Sequence, residues 1–313
     1  MEQRHNLTPL LALRLAAPHT WPASVYPALF GELYCLLRGY DMTFAVAAAL
    51  FCACVLMQSA VNALNDYFDY VKGADQADDC VEVSDAVLVY ENIDPKQALA
   101  LGIGFLAAAA LLALPIIVSA GPAPLLIGVV GGLAVLTYSG GALPVSYLPV
   151  GECVSGTIMG GLIPLGIVAA VTGTFDWPVL IVSLPFIIGI ALIMMTNNGS
   201  DIEKDIQAKR RTLPVLLGRK NSVRLYHGAV VVWLVLLCLL PVIYAGPWGL
   251  LSPLFLLLFA RKPFMSLLQT TLAPQRRIEQ MKGILVGNLL GNGAYLFTMA
   301  VLLIGGIANG RGI

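Results

Sequence analysis

Long apolar stretches separated by short polar segments dominate the chain, and this pattern predicts membrane-spanning helices. A helix needs about 17–25 mostly apolar residues to cross a bilayer. The stretches that meet or approach this length are residues 20–37, 43–64, 98–119, 121–138, 153–172, 178–196, 224–244, 247–260 and 284–307. We therefore expect an all-α polytopic membrane protein, a single domain over residues 1–313, with nine transmembrane helices bundled around a central cavity.

Composition supports a membrane protein and excludes a nucleic-acid partner. The chain is 58% hydrophobic and 12% charged, with a mean hydropathy of +0.83, whereas soluble domains carry about 25% charged residues. The formal net charge is zero, and the chain has no basic stripe that would neutralise a phosphate backbone. The expected surroundings are therefore the lipid bilayer, and the oligomeric state is left open.

The distribution of basic residues predicts the orientation in the membrane. Lys and Arg concentrate in cytoplasmic loops. With the N-terminus inside, only Arg38 and Arg311 of the 18 Lys and Arg residues fall on the outer side. This orientation places two long polar loops, residues 65–97 and 197–223, on the cytoplasmic face of the cell (inner) membrane. Loops of this length often cover binding sites.

Two acidic clusters stand where these loops begin, and their spacing predicts a metal site. Ionisable residues at a membrane boundary are costly and mark functional sites. The oxygen-bearing side chains repeat at helical spacing, Asn62, Asn65, Asp66 and Asp69 after the second stretch and Asn197, Asp201 and Asp205 after the sixth. Such residues share helix faces. Two facing helices would form an oxygen-rich cage that suits Mg²⁺, an ion that commonly also binds substrate phosphates. The cage therefore predicts a diphosphate ligand.

Basic residues near the second cluster support a phosphate ligand. Lys204, Lys209, Arg210 and Arg211 follow within the loop, and Lys72 follows the first cluster. Such side chains can bind phosphate oxygens. The alternative is that they only determine topology. Tyr138, at the end of the fourth stretch, either lines a pocket or belongs to the interfacial aromatic belt.

The acidic motifs resemble those of a known superfamily. Residues 65–75, Asn-Asp-Tyr-Phe-Asp-Tyr-Val-Lys-Gly-Ala-Asp, resemble the first aspartate motif of the UbiA superfamily of intramembrane prenyltransferases, and residues 197–218 resemble the second. The tract from Tyr138 to Glu152 and the segment from Arg14 to Pro22 are similar to the 1,4-dihydroxy-2-naphthoate polyprenyltransferase branch. The resemblance covers nearly the whole chain.

The resemblance implies a reaction and a set of site residues. The implied reaction is Mg²⁺-dependent transfer of a polyprenyl group from polyprenyl diphosphate to an aromatic acceptor. With 1,4-dihydroxy-2-naphthoate, it would give demethylmenaquinone, diphosphate and CO₂. The implied metal ligands are Asn65, Asp69, Asp201 and Asp205. The implied catalytic residues are Asp66, Asp69, Asp75, Asp201, Asp205 and Tyr138, and the implied substrate-binding residues are Lys72, Lys209, Arg210, Asn62, Asn197, Asn198 and Arg14.

Departures from this branch leave the acceptor open. Ser200 stands where the branch usually has arginine, Ser84-Asp85-Ala86 where it has a basic residue, and Lys209 where glycine precedes the basic residue. The alternatives are a UbiA-type enzyme with a 4-hydroxybenzoate-like or lipid acceptor, or a cation transporter that uses the acidic clusters as its path. The transporter is disfavoured because both clusters lie at one membrane face.

Overall fold

Helices form nearly all of the computed structural model, which describes residues 6–73 and 87–308. Within these ranges there is no β-strand, so the all-α prediction is confirmed. The α-helices are α1 (Pro9–Leu15), α2 (Pro22–Leu37), α3 (Phe44–Lys72), α4 (Val87–Tyr90), α5 (Pro95–Ala120), α6 (Pro122–Ser139), α7 (Gly151–Ser155), α8 (Ile163–Thr172), α9 (Pro178–Val182), α10 (Leu184–Ser200), α11 (Ile202–Gln207), α12 (Leu213–Ala245), α13 (Leu251–Phe255), α14 (Arg261–Leu267) and α15 (Arg277–Ala308).

Six helical runs in the described part of the chain are long and apolar enough to cross a membrane. They are Phe44–Lys72, Pro95–Ala120, Pro122–Ser139, Gly151–Thr172, Leu213–Leu267 and Pro274–Gly306. The run Leu213–Leu267 has 55 residues and leaves helical geometry at Gly246, so it contains two predicted stretches. Helices α2 and α10 match further predicted stretches but are shorter, with 16 and 17 residues. The protein is therefore an integral membrane protein.

Large apolar side chains lie on both the inside and the outside of the bundle. Trp233, Tyr226 and Phe186 are fully buried where α10, α12 and α15 pack together. Leu111 and Val118 on α5 are 72% exposed. A soluble protein rarely leaves such a surface uncovered, whereas lipid acyl chains are as apolar as leucine. The exposed faces are therefore suited to lipid.

Glycines bring α10 into direct backbone contact with the segment before α8. A π-helical segment, Gly156–Leu162, joins α7 to α8. A Cβ on Gly156 would lie 2.5 Å from Ile187 O, and one on Gly160 would lie 2.4 Å from Ile187 N. Small residues four apart allow this kind of close packing in membranes. The contact fixes α10, which carries the second acidic motif, against α7.

A small second core holds the N-terminal segment and α4 over the end of α3. It contains Leu15, Val87 and Leu88, all at most 2% exposed. Asn62 Nδ2 reinforces this packing by donating to Ala16 O at 2.9 Å and to Thr20 Oγ1 at 2.8 Å. The segment before α2 is thereby attached to α3 next to the first acidic motif.

Candidate active site

A cavity of about 430 Å³ lies between α2, α3, α5, α6, α8, α10 and α15. One end is lined by polar residues from both acidic motifs. The rest of the wall is apolar and includes Leu50, Met57, Ile117 and Ile127. A mostly apolar pocket with a few converging polar groups is typical of a small-molecule site.

The last two turns of α3 present the first motif to the polar end. Asn65 Nδ2 donates to Asp69 Oδ2 at 3.0 Å, as the predicted i, i+4 spacing requires. Ser139 Oγ, at the end of α6, donates to Asn65 Oδ1 at 2.5 Å. Asp69 is only 8% exposed. The two side chains are therefore held in a fixed orientation by hydrogen bonds and by burial.

Arg210 joins the two motifs. Its Nη2 lies 2.5 Å from Asp69 Oδ1, and its Nη1 lies 3.8 Å from Asp205 Oδ1. The guanidinium also stacks on the Tyr147 ring, 4.6 Å from its centroid. Arg210 follows Asp69 by 141 residues, and its guanidinium brings the two motifs together at one largely enclosed cation.

Asp205 lies behind Arg210 and does not line the cavity. Thr212 Oγ1 donates to its Oδ2 at 3.0 Å. Burial raises the pKa of Asp205 to about 6, although Arg210 and the Thr212 hydrogen bond act in the opposite direction. A buried carboxylate is costly unless cations neutralise it, so this region favours positive charge.

The second motif meets an arginine that the sequence analysis interpreted only as a topology signal. Arg277, the first residue of α15, places its Nε 3.0 Å from Asp201 Oδ1 and 3.1 Å from Oδ2. Its Nη2 donates to Asn197 Oδ1 at 2.6 Å. The only sequence signal was a pair of basic residues, Arg276 and Arg277, at the cytoplasmic start of a span.

Asp66 lines the cavity wall but also binds the N-terminus of α4. Its Oδ2 accepts from Val87 N at 2.9 Å and its Oδ1 accepts from Leu88 N at 3.3 Å. A carboxylate there satisfies N–H groups that a helix start leaves without partners. Asp66 therefore positions the returning end of the first loop.

Replacing Asp66 by alanine is expected to destabilise the protein by about 1–3 kcal/mol, because two buried N–H groups lose their acceptor. Amide hydrogen exchange at residues 87–90 should accelerate, and the thermal unfolding midpoint should fall. Asp66→Asn is the matched control, since its amide oxygen can still accept one of the two bonds and the effect should be smaller. Unchanged exchange at residues 87–90 in the alanine variant would contradict this role.

Two predicted basic ligands lie outside the cavity wall. Lys72 Nζ donates to Ser139 O at 2.8 Å and lies 5.1 Å from the centroid of the Tyr147 ring, so it is near Arg210. Lys209 is exposed and has a φ of +58°. This left-handed conformation favours glycine, which explains why glycine suits the position that Lys209 occupies.

The remaining predicted residues are distributed as follows. Arg14, Asn62, Tyr138 and Asn198 line the cavity. Arg14 Nη1 lies 2.5 Å from Glu91 Oε1, and Asn198 Nδ2 donates to Glu152 Oε1 at 2.8 Å. The buried Tyr138 hydroxyl makes no hydrogen bond to the described residues. Asp75 and residues 84–86 lie outside the described ranges, so their roles stay predictions.

Ser200, the departure in the second motif, is buried. It is 1% exposed, and its Oγ accepts from Gln280 Nε2 at 3.3 Å. Gln280 lies one turn after Arg277 on α15. Position 200 is therefore a contact between α10 and α15.

The donors at the polar end fit magnesium that is shared with a substrate. Within residues 6–73 and 87–308, no three His, Cys, Asp or Glu side chains are close enough to hold a metal together. The cavity wall instead carries carboxylates and amides from both motifs, among them Asp69, Asp201, Asn65 and Asn197. Mg²⁺ prefers oxygen ligands, keeps several waters and is often bound by one or two carboxylates plus substrate phosphates.

Comparison with known proteins identifies the family. The family model described as the UbiA prenyltransferase family matches residues 24–282. Over 238 residues, the chain is 33% identical to 1,4-dihydroxy-2-naphthoate octaprenyltransferase of Bacillus subtilis, with 75% of each protein covered. The chain belongs to the UbiA prenyltransferase family. As a UbiA-family prenyltransferase it is an enzyme, and the resemblance seen in the sequence is confirmed.

Further relatives agree with this assignment. The 1,4-dihydroxy-2-naphthoate octaprenyltransferase of Mycobacterium tuberculosis is 28% identical over 234 residues, which are 74% of this chain and 78% of the relative. A UbiA homologue from Archaeoglobus fulgidus, solved with GPP and Mg²⁺ bound, superposes with a TM-score of 0.63 at 17% identity. The superposition covers 91% of this chain and 99% of the homologue, so the two proteins share the UbiA fold.

Proposed function

We propose that this UbiA-family enzyme transfers a polyprenyl group from polyprenyl diphosphate to 1,4-dihydroxy-2-naphthoate, with Mg²⁺ as cofactor. The products would be demethylmenaquinol, which is the hydroquinone form of demethylmenaquinone, together with diphosphate and CO₂. The observation that carries the proposal is one cavity in which both acidic motifs meet at a polar end and the remaining wall is apolar. Nine membrane spans, with both motifs on the cytoplasmic face of the inner membrane, are part of the proposal.

The polar end would bind the diphosphate. Asn65, Asp69 and Asp201 would hold Mg²⁺, and Asp205 would support this set through Arg210. When bound, Mg²⁺ would neutralise the charge that develops on the leaving group and act as a Lewis acid. Arg210, which is fixed between the motifs, would donate to the phosphate oxygens in a preorganised position.

The remaining residues predicted for this end would have supporting roles. Lys72 lies on the Tyr147 ring beside Arg210 and would add positive charge. Asn197 and Asn198 would orient their neighbours, and Asn62 would hold the N-terminal segment through its bond to Ala16 O. The roles of Asp75 and Lys209 rest on the sequence resemblance alone.

The apolar wall would hold the isoprenoid tail and exclude water. Leu50 and Asn65 both line the cavity on α3, and 15 residues of helix span about 22 Å. A hydrocarbon of several isoprene units fits such a length. A dry wall matters because ionisation of the allylic C–O bond leaves a carbocation that water would otherwise capture.

The acceptor would bind between the two ends. The C–O electron pair leaves with diphosphate, the electron-rich ring attacks the allylic carbon, and the ring carboxylate departs as CO₂. Tyr138 has a buried hydroxyl without a hydrogen bond to the described residues, and it would contact an acceptor hydroxyl. Arg14, at the rim of the cavity, would contact the acceptor carboxylate.

The relatives support this choice of substrates. The Bacillus subtilis relative is named for 1,4-dihydroxy-2-naphthoate, and the Archaeoglobus fulgidus homologue binds GPP and Mg²⁺. The alternative acceptors are a 4-hydroxybenzoate-like acid or a lipid alcohol. Reactions with these acceptors would use the same diphosphate end of the cavity. Only the contacts of the acceptor near Tyr138 and Arg14 would differ.

Mass spectrometry of lipid products tests the proposal. Membranes that contain the protein would be supplied with Mg²⁺, labelled polyprenyl diphosphate and 1,4-dihydroxy-2-naphthoate, 4-hydroxybenzoate or a lipid alcohol. We expect labelled product from the naphthoate, with a mass that corresponds to the loss of CO₂. If labelled product forms only from another acceptor, the assignment of the naphthoate as acceptor is wrong. If no acceptor gives a prenylated product, the proposed function is wrong. Membranes without the protein are the control.

A further inference from the structure

Arg277 belongs to neither acidic motif, yet it is built into the polar end of the cavity. It is 8% exposed, it lines the cavity, and it comes from α15, 76 residues after Asp201. A buried cation in a membrane protein is expensive and marks a functional position.

The neighbouring arginine shows that this burial is specific to position 277. Arg276 is exposed and pairs with Glu279 within one turn, at 2.7 Å. It behaves as a surface residue, and such pairs contribute little. Arg277 instead points into the protein and contacts the second motif.

The contacts of Arg277 hold its guanidinium in place while leaving donors for a ligand. Nε donates to Asp201, and Nη2 donates one hydrogen to Asn197. Guanidinium has five N–H donors, and the Nη1 pair makes no hydrogen bond to the described residues. A planar, prearranged pair of donors suits two oxygens of one phosphate.

The charge pattern points to the same ligand. Two of the motif carboxylates on the cavity wall are each paired with an arginine, Asp69 with Arg210 and Asp201 with Arg277. The arginines therefore flank the polar end from two sides. An anionic group with several oxygens placed between them would meet donors from both, and the diphosphate of the prenyl donor is such a group.

We propose that Arg277 binds the diphosphate of the prenyl donor through Nη1 and is oriented for this by Asp201 and Asn197. The inference rests on the proposed function and adds a diphosphate ligand from outside the two motifs. Because Asp201 would serve both Arg277 and Mg²⁺, loss of the arginine should weaken diphosphate binding without weakening binding of the metal alone.

Direct binding of farnesyl S-thiolodiphosphate, a slowly ionising analogue, tests this proposal. With Mg²⁺ present, Arg277→Gln should weaken binding of the analogue by about 10- to 100-fold, because a charge-assisted hydrogen bond is lost. The affinity of Arg277→Lys for the analogue should lie between those of the wild type and Arg277→Gln, because lysine keeps the charge and loses the planar fork. Arg276→Gln is the matched control and should bind like the wild type.

Two further measurements separate a binding role from a structural one. In a titration with Mn²⁺ and without the analogue, Arg277→Gln should bind the metal at least as tightly as the wild type. The KM of Arg277→Gln for the aromatic acceptor should stay within twofold of the wild-type value. Wild-type analogue affinity in Arg277→Gln, or a rise in acceptor KM alone, would overturn the proposal. If Arg277→Gln does not fold, unchanged analogue affinity in folded Arg277→Lys overturns it.

The wild-type protein distinguishes this inference from the proposed function. If the wild type binds the analogue and the Arg277 variants bind it equally well, only the inference fails. If the wild type neither binds the analogue nor forms a prenylated product, both fail together.

Discussion

Replacing Asp69 by asparagine is expected to reduce prenyl transfer by about 10²- to 10³-fold, the range seen when one preorganised electrostatic group is removed from an active site. Asp69 is the carboxylate at which the first motif meets Arg210, 2.5 Å away. Asparagine keeps the shape of the side chain and its contact with Asn65. It removes the negative charge that would neutralise Mg²⁺ and that pairs with Arg210.

The protein should remain folded, because Asp205 still lies 3.8 Å from Arg210 Nη1. The measurement is the rate of product formation with purified protein in lipid. The elution volume on size exclusion and the unfolding midpoint show whether the variant is folded. Asp201→Asn should cause a similar loss. Asp41→Asn, an exposed acid before α3 at the end away from the site, should leave turnover unchanged. A folded Asp69→Asn enzyme that keeps more than about a tenth of wild-type turnover would rule out this role.

Removing magnesium is expected to stop turnover completely, and adding it back should restore the wild-type rate. At the polar end, Arg210 and Arg277 are each already paired with a carboxylate, Asp69 and Asp201. The two arginines therefore do not by themselves neutralise a departing diphosphate. Ca²⁺ should restore little activity, since it takes 6–8 ligands at longer distances than the near-octahedral shell of Mg²⁺.

The control for this experiment is EDTA saturated beforehand with Mg²⁺, which should have no effect. A second readout does not depend on turnover. Mg²⁺ together with inorganic diphosphate should raise the unfolding midpoint more than either alone, because ligands that bind the native state stabilise it. Turnover that survives thorough chelation would count against a metal-dependent site.

The first motif was predictable because its contacts are local. The spacing of Asn65 and Asp69 predicts an i, i+4 pair on a helix, and α3 continues two turns past the apolar stretch to present it. The same spacing did not distinguish Asp66, whose carboxylate binds the start of α4 instead. The partner of Asp66 depends on where residues 87–90 lie relative to α3. The spacing of residues within α3 does not contain this information.

The second motif was predicted less completely. The spacing of Asp201 and Asp205 placed both acids in one cluster, but α10 ends at Ser200 and α11 begins at Ile202. At this junction, Asp201 faces the cavity while Asp205 lies behind Arg210. The spacing of the two acids alone does not separate these two positions.

The sequence by itself determined the all-helical membrane class, most span positions and the oxygen-rich motifs, because hydropathy and helical periodicity act over a few neighbouring residues. Only the tertiary structure decided which cations meet which carboxylates. Arg210 reaches Asp69 across 141 residues and Arg277 reaches Asp201 across 76. These contacts depend on how α3, α10 and α15 pack around one cavity, and packing between distant helices leaves no periodic signal in the chain.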